Sequence, residues 1–197
     1  NLSEQTDKIS ANVSGFLGTT RISLADNLLE RGTREEIRAV VAHEIGHYVL
    51  GHSLKFLVYN GIMLFVGFAF VHWGLGALLR RYGSRWGVED QADPAGLPVF
   101  VALLTLFFTF MIPVRNSMIR ENEAQADLFG INESREPDGW ATAAMKLAEY
   151  RKIDPAPWEE IVFYDHPSGR SRVAMAMQWK AGHIHEPDIA AKPSPGQ

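Results

Sequence analysis

No cysteine occurs among the 197 residues. Disulfides and thiolate ligands are thereby excluded, and any metal must rest on His, Asp or Glu. An excess of basic charge is also missing: 19 Lys and Arg stand against 23 Asp and Glu, a formal net charge of −4. That balance gives no support to a nucleic-acid footprint, and no nucleic acid is expected as a partner. The chain begins at Asn1 rather than Met, and no signal-peptide pattern follows. The reading is of a piece processed or excised from a longer chain. No internal repeat is evident.

Two long stretches lack every charged residue. The first is "FLVYNGIMLFVGFAFVHWGLGALL", from Phe56 to Leu79, flanked by Lys55 on one side and Arg80 and Arg81 on the other. The second is "AGLPVFVALLTLFFTFMIPV", from Ala95 to Val114, closed by Arg115. Each reaches the roughly 20 residues that cross a bilayer core. Pro98 and Pro113 stand near the ends of the second run, where a missing N–H costs little. The alternative is a pair of buried helices in a soluble core. Soluble core helices are shorter and keep a polar face, and a chain this small can hardly cover two such helices. The expectation is a membrane hairpin with both outer flanks on one side. Asn60 and His72, inside the first run, are read as structural contacts, with a substrate-lining role as the alternative.

What is present is chemistry on a helix. "GTREEIRAVVAHEIGHYVL" starts with Thr33, which can N-cap, and Glu36 three residues on, the capping-box spacing. Ile37, Val40, Val41, Ile45, Tyr48 and Val49 recur near the helical period. Within that run His43 and His47 lie four apart, on one helical face, and Glu44 sits beside the first. This is H-E-x-x-H, the arrangement of zinc peptidases: two imidazoles hold the metal and the glutamate serves as general base. Two histidines stacked for packing are the alternative. A catalytic zinc site needs a third protein ligand. The hairpin returns the chain at "RENEAQAD", where Glu123 is the natural third ligand. Asp127, one turn on, is placed to accept a hydrogen bond from a ligand imidazole. Glu121 competes with Glu123 but has no aspartate four residues on. His52, His183 and His185 are read as structural or solvent-facing.

The remaining segments read coarsely. "ANVSGFLGTTRISL" is a strand, turn and strand. "NSMIRENEAQADLFG" continues the second run as a helix ending at Gly130, a C′ glycine. "DGWATAAMKLAEYRK" and "SGRSRVAMAMQWKAG" are two further helices, and "EPDIAAKPSPGQ" is a disordered tail.

Taken together, these motifs resemble the membrane zinc endopeptidases that include the type I CAAX prenyl proteases and the heat-shock-induced membrane protease of bacteria. "VVAHEIGHYVLGH" resembles the family's metal helix. "RENEAQAD" resembles its R-x-x-E-x-Q-A-D, which puts Arg120, Glu123 and Asp127 on the matching positions. "YDHPSGRSR" resembles its His-Pro segment followed by an arginine. The resemblance implies that His166 stabilises the oxyanion of the reaction. Arg172, on the following helix, is expected to brace the His166 segment through a carboxylate. Val13, Ser14 and Gly15 resemble the edge strand that holds substrate extended. The family's asparagine, five residues before that glycine, falls on Ser10; Asn12 is displaced by two and shares its face on a strand. The wording "QAD" and "DHPSGR" leans towards the CAAX branch, whose further N-terminal spans are missing here.

The expected architecture is mainly α and integral to the membrane. A two-span transmembrane hairpin carries a gluzincin-like zinc-peptidase core and a small β element. The expected organisation runs as a β element with the substrate edge strand (1–32), a metal-binding helix (33–55), a span (56–79) and an inter-span loop (80–94). A second span (95–114), the rest of the peptidase core (115–185) and the tail (186–197) complete it. The expected function is endoproteolysis with one Zn2+ per chain, on a peptide or protein substrate that is prenylated or membrane-inserted, in contact with a lipid bilayer. Membrane-protein quality control is an alternative substrate class, and a non-catalytic zinc-containing membrane scaffold is an alternative function. A transporter is disfavoured by the two spans and the missing repeat. Lys and Arg are nearly balanced across the hairpin; the resemblance implies a site on the cytoplasmic side.

Overall fold

The computed structural model describes residues 11–15, 19, 21–148 and 151–190. Internal packing divides the chain into one unit of residues 1–53 with 116–197 and a second of residues 54–115. In the first unit, β1 (Ala11–Ser14) and β2 (Arg21–Leu24) pair antiparallel, Ala11 opposite Leu24. This is the strand, turn and strand that the alternating β-branched residues predict. A short helix absent from the sequence reading, α1 (Asp26–Arg31), comes next.

Helix α2 (Arg34–Val49) begins with the capping box. Thr33 Oγ1 accepts from the Glu36 N–H at 3.3 Å, and Glu36 Oε2 accepts from the Thr33 N–H at 2.9 Å. Its end lies earlier than expected. Gly51 adopts φ 66°, a left-handed setting that stops the helix, and α3 (His52–Trp86) starts immediately after.

A 3₁₀ turn at Pro94–Gly96 leads into α4 (Leu97–Ser134), a single 38-residue helix. Gly130 is therefore not its terminus. A Cβ at Gly130 would lie 2.9 Å from both N and Cα of His43, so glycine there serves the approach of α4 to α2. The helix stops at Arg135 (φ 59°), which Asp188 and Glu186 hold and which lies over the Trp179 ring. Pro113, expected at a span end, sits inside the helix.

Helices α5 (Pro137–Leu147), α6 (Pro157–Phe163), α7 (Gly169–Gly182) and α8 (Pro187–Ala190) follow. The expected tail from 186 thus begins with a helical turn whose Ile189 is buried in the core, and 191–197 lie outside the described residues. That core joins Leu28, Val40, Ile131, Trp140, Ala176 and Trp179. Small residues such as Ala39, Ala143 and Ala176 let α2, α5 and α7 pack closely.

In the second unit, Phe107 packs against Gly67 and against the Phe70 ring at 5.7 Å. Small residues at such a contact let membrane helices approach. Large apolar side chains point outward, among them Phe65, Trp73 and Phe110. Only 22% and 6% of the most apolar windows of the two long helices are buried, which fits surfaces that face lipid better than helices of a soluble core. Asn60 bonds back to the Phe56 carbonyl at 2.7 Å, a structural contact.

The contact at Gly130 yields a prediction. Gly130→Ala forces α4 away from α2 and costs about 1–3 kcal/mol, the range for overpacking. Unfolding in detergent, followed by circular dichroism, will show a lower midpoint. Gly182→Ala, which meets nothing within 4 Å, will leave the midpoint equal or higher.

Candidate metal centre

Two facing stripes build the site. On α2, His43, Gly46 and His47 recur at helical spacing; on α4, Glu123, Asp127 and Gly130 do the same. Nε2 of His43 and Nε2 of His47 are 3.1 Å apart. Glu123 brings one carboxylate oxygen to 3.6 Å from His43 Nε2 and the other to 3.5 Å from His47 Nε2. These three side chains form the metal-capable group among the described residues. Tetrahedral zinc with bonds near 2.0–2.1 Å has ligand–ligand edges of about 3.3 Å. The observed separations bracket that value, so the donor set fits a zinc ion. Glu121 is turned aside and accepts from Gln125 at 2.9 Å.

Behind the histidines lie further partners. Nδ1 of His43 is 2.9 Å from Asp127 Oδ1, with the ring N–H aimed off the line to that oxygen. Asp127, completely buried, accepts two hydrogen bonds from Arg172, at 2.7 and 2.6 Å. The Arg172 guanidinium also covers the Trp140 ring, which stacks on His43 at 4.9 Å. Burial opposes the charge on Arg172, but its bonds to Asp127 outweigh that and hold it above its ordinary range. Arg172 thus bonds most directly to Asp127, and it also lies 3.6 Å from Glu123 Oε2, the carboxylate oxygen that His166 Nε2 faces; the His166 segment has a closer support as well.

That support is Asp165. Its Oδ1 faces His166 Nδ1 at 3.0 Å and accepts from Arg151 at 2.6 Å. Burial works against the Asp165 carboxylate, yet those partners hold it down at about 2. An ionised Asp165 only accepts, so His166 Nδ1 carries a proton towards it. Nε2 of His166 then faces Glu123 Oε2 at 3.4 Å. Arg120 fixes the same loop from α4, donating to the carbonyls of Glu160 (2.7 Å) and Tyr164 (2.5 Å).

A cavity of about 270 Å³ opens beside His43 and Glu123, lined also by Glu44, Trp140 and His166 among others. Ala11, the first residue of β1, lines it too. Of the expected substrate residues, Gly15 follows that strand with φ 116°, and Asn12, Val13 and Ser14 are described by their strand backbone. Ser10 lies outside the described residues.

Known proteins can now be set beside this geometry. The family model described as Peptidase family M48 matches residues 1–180. The chain belongs to peptidase family M48. It is 29% identical over 188 residues to the uncharacterized metalloprotease YhfN of Bacillus subtilis, covering 94% of this chain and 44% of that protein. It is 31% identical over 178 residues to a CAAX prenyl protease 1 homolog of Oryza sativa (84% and 39%). A Protease HtpX homolog of Bacteroides fragilis is 26% identical over 177 residues (86% and 54%). The crystal structure of S. mikatae Ste24p superposes with a TM-score of 0.68 at 21% identity, covering 87% of this chain and 42% of that one. The resemblance read from the motifs and the mainly α fold therefore both stand. The chain spans between 39% and 54% of the length of these proteins.

Within this M48 chain the sequence reading missed the Asp165–Arg151 pair and the contact between His52 and His47. The acid next to His166 in "YDHP" was the available signal for the first. His52, read as structural or solvent-facing, is buried with its Nδ1 2.9 Å from His47 Nδ1.

Burial, followed by the neighbouring His43 and His52 rings, pushes the His47 imidazole down to about 3 from its ordinary 6.5. It is thus neutral near pH 7, the form a metal needs. The unfolded chain takes up this proton near pH 6.5, whereas the folded chain refuses it until about pH 3. Stability from this group is complete above pH 6.5 and declines as pH falls towards 3. Chelator-treated protein will therefore melt at a lower temperature at about pH 5 than at about pH 7.5, and His47→Gln will flatten that dependence.

Proposed function

We propose that this chain carries the catalytic core of a zinc-dependent membrane endopeptidase of the CAAX-prenyl-protease type. The observation that carries the reading is the convergence of His43, His47 and Glu123, two of which, His43 and Glu123, line a cavity with Glu44 and His166. Three ligands with a neighbouring unligated carboxylate favour catalysis over a structural zinc, which closes with four protein ligands.

His43, His47 and Glu123 would hold the ion. When bound, zinc lowers the pKa of water and polarises a carbonyl. Glu44 takes the proton of the attacking water and delivers it to the departing amine. The substrate peptide extends beside β1, and Trp140 and the apolar cavity wall keep bulk water from its scissile bond. Negative charge develops on the carbonyl oxygen as the water adds. His166, oriented by Asp165, presents Nε2 to that oxygen. Arg120 keeps the loop of His166 at its depth through the carbonyls of α6.

The substrate class proposed is a prenylated peptide, supported by the Oryza sativa relative and the "QAD" and "DHPSGR" wording. The site is proposed to face the cytoplasm. Membrane-protein quality control is the second reading, supported by the HtpX-named relative.

The test is zinc analysis of the purified protein, combined with cleavage of matched prenylated and unprenylated peptides. A protein that binds no zinc, or cleaves neither peptide, overturns the reading. Glu44→Gln will retain zinc and lose hydrolysis by at least about 100-fold, within the 10²–10⁴ range for a general base. His166→Ala will retain zinc and lower kcat by roughly 10²–10³. A rise confined to KM would instead make His166 a substrate-binding group.

A further inference from the structure

His47 and His52 are five residues apart, and an uninterrupted helix would turn them about 140° away from each other. They nevertheless meet, Nδ1 to Nδ1, at 2.9 Å. The cause is the break at Gly51, whose positive φ ends α2 and restarts the chain as α3 with His52 as its first residue. No periodicity argument reaches this contact.

The contact belongs to a longer row. His52 Nε2 faces Gln125 Oε1 at 3.4 Å, and Gln125 Nε2 donates to Glu121 Oε1 at 2.9 Å. A carboxylate can only accept, which sets the direction of every bond in the row. With Gln125 giving its amide N–H to Glu121, its carbonyl oxygen is left for His52. His52 then carries its proton on Nε2 and presents a lone pair on Nδ1. His47 must donate from Nδ1, which leaves the lone pair of its Nε2 pointing at His43 and Glu123.

We propose that His52 is a positioning residue that locks His47 in the tautomer and ring orientation that metal ligation requires. The inference rests on the metal reading of His43, His47 and Glu123. It places a carboxylate behind both imidazoles by different routes: Asp127, 2.9 Å from Nδ1 of His43, and Glu121 through Gln125 and His52 for His47. Glu121 thereby has a role without touching the ion.

The test uses the full chain in detergent, stripped with a chelator and titrated with zinc against a fluorescent competitor. His52→Asn keeps an amide oxygen where Nδ1 stood and will hold the zinc Kd within a few-fold. His52→Gln carries the same amide one carbon farther out, loses the acceptor at that position, and will weaken zinc binding 10- to 100-fold, the usual effect of removing such a support. Imidazole nitrogen NMR on the chelated protein gives a second readout. His47 will be the Nδ1–H tautomer in the parent and His52→Asn, and a mixture in His52→Gln. Equal affinity and an unchanged His47 tautomer in both variants would overturn the proposal, as would equal loss in both. A parent protein with no zinc affinity would overturn the metal reading, and this inference with it.

Discussion

A carboxylate with no exposed surface sets the terms for the whole unit around the candidate metal centre. Asp127 would be very costly to ionise in the interior by itself. It is tolerated because Arg172 reaches it from α7 with two aligned bonds, at 2.7 and 2.6 Å, and because His43 lies against its other side. Removing either charge alone would leave the other stranded, which typically costs about 3–5 kcal/mol. The pair therefore fixes α7 to α4, orients a ligand ring on α2, and spreads the guanidinium over Trp140 of α5. Packing and chemistry are not separable here, since the same two side chains serve both.

Much of this was legible because helical periodicity is local. His43 and His47 share a face by spacing alone, and so do Glu123 and Asp127. The membrane-length runs were legible for the same reason, being continuous in sequence. What escaped depended on breaks and on distant partners. The left-handed Gly51 brings His52 over His47. Gly130 looks like a helix terminus in sequence, yet it lies inside α4 because the His43 backbone occupies the space a side chain would need. The arginine expected to support His166 bonds most directly to Asp127, since nothing in the local sequence distinguishes Arg151 from Arg172 as the partner of a given acid.

The loop that carries His166 shows how a short, unforeseen element can be held. Helix α6 has seven residues, too few to persist without outside support. Its polar groups are tied to neighbouring segments: Glu159 accepts from the Ala156 N–H and Lys152, Glu160 from the Ser168 N–H, and its last carbonyls receive Arg120 and Asn116. Trp158, Ile161 and Phe163 are left on the outside. This polarity is the reverse of a surface helix in water, so the amphipathic pattern that marks helices in sequence was of no use for α6.

The glycine contact between α2 and α4 carries one more implication. A side chain at Gly130 would meet His43 backbone atoms at 2.9 Å, and across the same contact Nδ1 of His43 on α2 lies 2.9 Å from Asp127 on α4. The gap between the ligands is thus a gauge set by backbone rather than by flexible side chains. The proposed zinc, with its short bonds to nitrogen, fits a gap of that size. A calcium ion, which takes six to eight oxygens at about 2.3–2.6 Å, would find too few donors, of the wrong kind, in a space that does not stretch. For the proposed zinc site, selectivity among ions would in that sense be a property of helix packing, written at a position that has no side chain at all.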